Sequence, residues 1–392
     1  MAVEEGAHLE EVLDEEAPPH DPDRSLAWFL AYGIQRRRGE LDAALRANLK
    51  QPLEGLEAPV RAALYIGAFE LLFARTGSHA AVHQAVETVK SLRLARASGL
   101  VNAVLRRVEP GRAAGADALN APAWIHARWG ARYGADAAAQ WLSDAAEAPP
   151  LFVVAKGDAS ELATQLADHA SVVETSVPAV LRLDSVSGPI DALPGFDQGA
   201  FWVQDLASVQ VADLVQAAPG ERVLDACAAP GGKSFRLATA GATVFATDRS
   251  RDRLALMRGS LHRLDLDVRL KTHNWDDGAI PGDHRFDAVL VDAPCTAVGT
   301  LRRHPEVKWR RQLVDVLSMP PTQLAILQAA SQHVREGGRL VYAVCSPEPE
   351  EGPGVVDAFL AKNPEFTQSD TLLTAPPRQG EDAFYAARLE RS

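Results

Sequence analysis

A chain of 392 residues, 47% of them apolar, is long enough for two or three domains with cores of their own. It has no run of about 18 apolar residues to cross a bilayer, and its acidic start, MAVEEGAHLEEVLDEEAPPHDPDR, lacks the form of a secretory signal, so a cytoplasmic protein without a membrane partner is expected. The formal charge of −12 argues against a nucleic-acid partner until it is located: residues 1 to 24 hold nine acidic side chains against Arg24 alone, and the remainder is only mildly acidic.

Residues 1–24 are too charged to bury much surface, and a disordered acidic tail is expected there. From Ser25 to about Val108 apolar residues recur at helical spacing, as in SLAWFLAYGIQRRRG and PVRAALYIGAFELLFARTG, which predicts an all-α bundle. Pro110 to Gly115 reads as a linker. The helical pattern resumes at WIHARWGARYG, where Trp124, Trp129 and Tyr133 have the spacing of core residues, so the helical domain is placed at 25–145.

At 146–200 the short runs LFVVAK and AVLRLDSV flank a helical SELATQLADHA, which predicts a small α+β connector. From residue 201 to the end, strand-like and helix-like segments alternate (RVLDACA, KSFRLATAG, ATVFATD, DRLALMRGSLHRL, FDAVLVDAP, GGRLVYAVCS). That order predicts a C-terminal Rossmann-like α/β domain built on a doubly wound parallel sheet.

The stretch DACAAPGGKS, 225 to 234, lies where the first strand of that domain hands over to a helix. Gly231 and Gly232 permit a sharp turn and close approach of a ligand to the backbone. Asp248 closes the next strand, where a carboxylate can accept hydrogen bonds from ribose hydroxyls. Neither a P-loop nor a dinucleotide fingerprint is present, and the pair of features points to an adenosine-containing cofactor.

Three motifs in order carry a family resemblance. DACAAPGGKS, VDAPCTAVGTLRRHPEVKW (291 to 309) and GGRLVYAVCSPEPEEG (337 to 352) resemble the cofactor loop, proline-cysteine motif and nucleophile motif of S-adenosylmethionine-dependent RNA cytosine-5 methyltransferases. GLVNAVLRRV (99 to 108) resembles the NusB-type RNA-binding domain, which narrows the resemblance to the bacterial 16S ribosomal RNA methyltransferase (RsmB) family. The resemblance implies S-adenosylmethionine as cofactor, held by Cys227, Ala228, Ala229, Pro230, Gly231, Gly232 and Lys233, with Asp248 on the ribose and Asp292 at the pocket border. HNWDDG offers Asp276 or Asp277 for the adenine, and Asp276 is preferred.

The cysteines fit this chemistry. Cys227, Cys295 and Cys345 are an odd, sparse set with no CxxC pair, so neither a disulfide framework nor a metal site is expected. Cytosine carbon 5 is a poor nucleophile until a thiolate adds at carbon 6, which is covalent catalysis. Cys295 and Cys345 each close a predicted strand, so the fold would bring them together at the sheet's carboxyl edge. Chemistry alone does not choose between them, and DNA cytosine-5 methyltransferases use the proline-cysteine thiol. The resemblance implies Cys345 as nucleophile and Cys295 in product release, with Asp292 bonding the base at N3. The family commonly has threonine where this chain has Val344.

The run LRRHPEVKWRR follows the proline-cysteine motif, and Arg302, Arg303, His304, Lys308, Arg310 and Arg311 are expected to contact RNA phosphates around an unstacked target base. The expected function is 5-methylcytosine formation in 16S ribosomal RNA by a monomeric enzyme. A transfer RNA or another ribosomal site, and a non-catalytic RNA-binding protein, stand as alternatives.

Overall fold

In the computed structural model the described residues are 8–17, 21–74, 77–109 and 116–392. They form two compact units, one made of Met1–Ala148 with Leu301–Arg310 and the other of Pro149–Thr300 with Arg311–Ser392. The expected linker at 110–115 lies outside the described residues, as do 1–7 and 18–20 of the expected tail.

The first unit is helical. Its helices include Asp21–Arg36, Arg38–Arg46, Ala58–Phe73, Ser78–Ser91, Ser98–Leu105, Ala123–Tyr133 and Ala135–Asp144. Their apolar faces meet in one core containing Leu41, Leu45, Leu64, Val89, Val101 and Leu105. Gly67 lets two of these helices close up, since a Cβ there would lie 2.4 Å from Leu105 Cδ1. Trp129 stacks on Trp141 with ring centroids 3.7 Å apart, so that aromatic series is core.

The acidic start departs from expectation, because Leu9–Glu16 is a helix rather than disordered chain. Its leucines, Leu9 and Leu13, stand one turn apart and are both buried, which gives the acidic segment an apolar stripe that its overall charge conceals.

The second unit holds two sheets. The smaller consists of β1 (Leu151–Ala155), β2 (Ser171–Glu174), β3 (Val180–Asp184) and β4 (Phe201–Val203) in the order β2-β3-β1-β4, every pair antiparallel. Asp158 caps the helix Ala159–Leu166 by accepting hydrogen bonds from the Ser160 and Glu161 amides, and that helix buries Leu162 and Leu166 on the sheet.

The larger sheet contains β5 (Arg222–Asp225), β6 (Thr243–Asp248), β7 (Val268–Thr272), β8 (Phe286–Asp292), β9 (Val334–Val344), β10 (Phe366–Leu373) and β11 (Tyr385–Arg391). Their order is β10-β11-β9-β8-β5-β6-β7. The five from β5 to β9 are parallel, and their apolar runs are buried on both faces. Phe235, Leu254 and Met257 cover one face, from Gly232–Thr239 and Arg251–Leu264. Ile326, Leu327, Val355 and Phe359 cover the other, from Pro320–Ser331 and Pro353–Leu360.

The sheet is therefore mixed rather than wholly parallel. The last two strands pair antiparallel and β11 runs antiparallel beside β9. β10, FTQSDTLL, is an exposed edge strand whose polar residues mask it in the sequence. The strand order reverses between β8 and β5, so their carboxyl ends form the crevice in which such sheets bind ligands. No helix among the described residues is long and apolar enough to cross a membrane.

Candidate active site

The loop after β5 is fastened to both neighbouring strands. Ala226 N donates to Leu290 O at 2.9 Å and Ala228 N to Thr247 O at 2.8 Å, while Thr247 Oγ1 and Trp275 Nε1 both donate to Ala226 O. The Ala229–Pro230 peptide is cis, and Gly231 follows at φ +118° as N-cap of Gly232–Thr239. A Cβ on Gly231 would stand 2.5 Å from Phe235 Cζ and 2.8 Å from Met257 Cγ, so both conformation and space demand glycine.

Asp248, at the end of β6, is buried and accepts from Ala229 N at 3.2 Å and Ser250 N at 2.8 Å. One carboxylate thus ties the loop to the next strand. Asp276 and Asp277 are exposed on a single 3-10 turn beyond β7, in which the Asn274 side chain accepts from Asp276 N. Cys227 is partly buried beside the loop, and burial pushes its thiol up.

A second link runs across the crevice. Lys233 Nζ lies 2.6 Å from Asp292 Oδ2, at the end of β8, and 5.2 Å from the Phe384 ring centroid. Burial alone would lower this ammonium, but the charge and hydrogen bond of Asp292, with the charge of Asp225, hold it above its ordinary value. Asp225 is fully buried with one oxygen accepting from Ser234 Oγ at 2.7 Å and the other unpartnered, and burial raises it to about 7.

The two later cysteines meet. β8 and β9 are parallel neighbours with Asp292 opposite Ala343, and Ala293 N extends the pairing to Ala343 O. Cys295 and Cys345, each just past its strand, stand with their Sγ atoms 3.3 Å apart. The hydrogen bond with Cys295, then burial, then the charges of Cys295, Asp292 and Asp382 hold the Cys345 thiol well above its ordinary value. Val344 is fully buried in the core beneath one face of the sheet.

Two features of this corner escaped the sequence. Gly299 donates to Cys345 O and accepts from Ala383 N, and a Cβ there would lie 2.0 Å from Ala383 O. Glu351 is fully buried beneath both cysteine loops, whereas the sequence shows only an acidic cluster, PEPEEG, with nothing to single out its inward-facing member.

The basic run requires a correction. Leu301–Arg310 folds with the helical unit, where Lys308 is 1% exposed. Its ammonium donates to Arg36 O at 2.9 Å and stands 5.3 Å from the Trp309 ring centroid, and burial lowers it to about 7. Lys308 is a packed residue, not a surface phosphate contact, because its long stem fills space among helices. Trp309 Nε1 donates to Gln35 O, and Arg302 Nε to Ala148 O. Arg303, His304 and Arg310 are partly buried in the same unit. Arg311 belongs to the other unit, where its Nε donates to Thr296 O beside Cys295.

The arrangement suits S-adenosylmethionine chemically. That molecule presents an ammonium, a sulfonium and ribose hydroxyls, which are cations and donors, and the carboxyl ends of β6 and β8 present Asp248 and Asp292 around a loop of small residues. Among the described residues no cluster of three His, Cys, Asp or Glu side chains has the arrangement of a metal site.

Comparison with known proteins agrees. The family described as 16S rRNA methyltransferase RsmB/F matches residues 212–390, and the NusB family matches 2–110. Ribosomal RNA small subunit methyltransferase B of Thermus thermophilus is 37% identical over 412 residues, covering 100% of this chain and 95% of its own. The protein of that name from Citrobacter koseri is 31% identical, covering 100% and 96%. Of solved structures, the protein PH0851 superposes with a TM-score of 0.83 at 24% identity over 97% of this chain and 93% of its own. NSun6 from Pyrococcus horikoshii, solved with SFG, gives a TM-score of 0.62 at 18% identity over 69% and 98%.

Proposed function

The chain belongs to the 16S rRNA methyltransferase RsmB/F family, and from that premise we propose that it methylates carbon 5 of a cytosine in small-subunit ribosomal RNA. The observation that carries the chemistry is the pair of thiols 3.3 Å apart at the ends of adjacent parallel strands, beside Asp292. Covalent activation of a pyrimidine needs one thiol to add and a neighbouring group to manage protons.

S-adenosylmethionine supplies an electrophilic methyl group. Residues 227 to 233 hold it, with Asp248 on the ribose hydroxyls and Asp276 toward the adenine. Cys345, as thiolate, adds to carbon 6 of the cytosine, and the electron pair of the carbon 5–carbon 6 double bond shifts onto carbon 5, which would take the methyl group as the sulfonium's S–CH3 bond breaks and the neutral thioether S-adenosylhomocysteine leaves. Asp292 accepts from the protonated N3 of the base in the adduct, and its pairing with Lys233 keeps that carboxylate oriented. Transfer of the carbon 5 proton to a base, the role for which Cys295 stands beside Cys345, restores the double bond and expels the Cys345 thiolate. The helical domain at 25–145 binds RNA, and the protein acts as a cytoplasmic monomer.

The test is transfer of a labelled methyl group to deproteinised 16S RNA by the intact protein and by Cys345→Ala, with bisulfite mapping of the product. One new 5-methylcytosine, absent with the variant, is the expected result. Transfer to transfer RNA instead would keep the chemistry and overturn the substrate. Cofactor binding with no transfer to any RNA would leave a non-catalytic RNA-binding protein.

A further inference from the structure

Beneath the two cysteine loops lies a hydrogen-bond network that the reaction as described leaves unused. Glu351 is fully buried, and each carboxylate oxygen accepts two hydrogen bonds. Oε1 accepts from Thr296 N at 2.7 Å and Gln323 Nε2 at 3.2 Å. Oε2 accepts from Thr296 Oγ1 and Ser346 Oγ, both at 2.5 Å. Four donors match the four acceptor sites of an ionised carboxylate and offset part of a burial that still holds this carboxyl above its ordinary value.

The sequence positions of these donors give the network its meaning. Thr296 immediately follows Cys295, and Ser346 immediately follows Cys345. Gln323, also fully buried, donates a further bond to Pro294 O at 3.0 Å, so Cys295 is fastened on both sides. Glu351 is itself anchored to β9, since Tyr342 Oη donates to its carbonyl at 2.6 Å. Two loops from different strands, 50 residues apart in sequence, thus converge on one carboxylate.

We propose that Glu351 is a positioning residue for the methyl-transfer reaction, holding the Cys295 and Cys345 loops so that the two thiols stay in contact. It touches no reacting atom. This rests on the assignment of Cys345 as nucleophile, and the fixed geometry explains how two reduced thiols keep their separation without a covalent link. An amide in its place keeps the shape but presents an N–H pair toward donors, and alanine removes the anchor altogether.

The experiment uses the full-length protein with labelled S-adenosylmethionine and deproteinised 16S RNA, comparing wild type, Glu351→Gln, Glu351→Ala and Cys345→Ala. A second readout, independent of activity, is the yield of Cys295–Cys345 bridging by dibromobimane, read by peptide mass spectrometry. A displacement on the ångström scale should lower kcat about 100-fold in Glu351→Gln, with KM for S-adenosylmethionine within about twofold of wild type. Bridging should fall about tenfold while each thiol still reacts singly with a monofunctional alkylating agent. Folded Glu351→Gln with wild-type kcat and bridging overturns the proposal. Should neither Glu351 variant show a cooperative unfolding transition, Thr296→Val and Ser346→Ala decide: each must lower kcat and bridging, and wild-type values in both overturn it. Transfer retained by Cys345→Ala would instead defeat the nucleophile assignment, while the bridging comparison would still test the positioning.

Discussion

Cys295 Sγ and Cys345 Sγ share a hydrogen bond at 3.3 Å, and that bond is the largest of the effects holding the Cys345 thiol above its ordinary value. An elevated value means that the neutral thiol persists at neutral pH and the thiolate grows in only as pH climbs past the ordinary thiol range of about 8.5. Cys295→Ala removes the leading cause, so the pH at which Cys345 becomes reactive should drop. Iodoacetamide labelling of the Cys345 peptide, followed by mass spectrometry from about pH 7 to about pH 11, measures this. Identical profiles for wild type and variant would show that the sulfur contact does not govern the titration.

Lys233 and Asp292 form one electrostatic unit across the crevice at 2.6 Å, with Asp225 behind them. Asp292→Asn removes the proposed partner of the base and should lower kcat about 100-fold or more. Lys233→Met leaves two carboxylates without their common cation and should also be slow. Residues in contact are not independent, so the double variant should fall short of the summed losses by roughly 0.5–3 kcal/mol. Full additivity of kcat/KM in that cycle would mean that the pair does not act as a unit.

Burial raises Asp225 to about 7, against about 3.9 for the unfolded carboxyl group. Between those values the native state binds more protons than the unfolded chain, so this residue makes stability fall as pH rises through the window and contributes no further slope above it. Asp225→Asn keeps the size and an acceptor for Ser234 while removing the titration. Thermal unfolding across that window should therefore show a shallower decline for the variant, and parallel curves would contradict the assignment.

Legibility in the sequence followed the range of the interactions. DACAAPGGKS declared its turn because the positive-φ conformation of Gly231 is a local property, open to glycine and written in the residue itself. The meeting of Cys295 and Cys345 followed from strand alternation, since parallel neighbours must present their carboxyl ends side by side. Glu351 and Gly299 were hidden because their roles depend on what lies across the fold, and an acidic cluster or a loop glycine looks the same whether it faces solvent or a buried hydroxyl. β10 was hidden by its polar edge composition. The Leu9–Glu16 helix was obscured by charge, two leucines being easily outweighed in a composition average. The basic run misled for the opposite reason: its lysine and arginines suggest a solvated face, but only tertiary packing decides that Lys308 is enclosed.

That enclosure yields a prediction with two independent readouts. A phosphate contact contributes about one unit to the slope of log K against log salt, so Lys308→Met should bind RNA with an unchanged salt slope if Lys308 is as buried as it stands. Its folded value of about 7 lies below the unfolded lysine value of about 10.4. Between them the unfolded chain binds more protons, so stability rises with pH through that window and the gain is complete above it. Lys308→Met should abolish this rise and leave the protein more stable than wild type near neutral pH, because the buried ammonium no longer has to be desolvated. Thermal unfolding from about pH 6 to about pH 10, set beside RNA titrations at several salt concentrations, checks both halves. A reduced salt slope, with stability that still rises with pH in the variant, would return Lys308 to the RNA-binding surface and show that the helical unit opens to expose it.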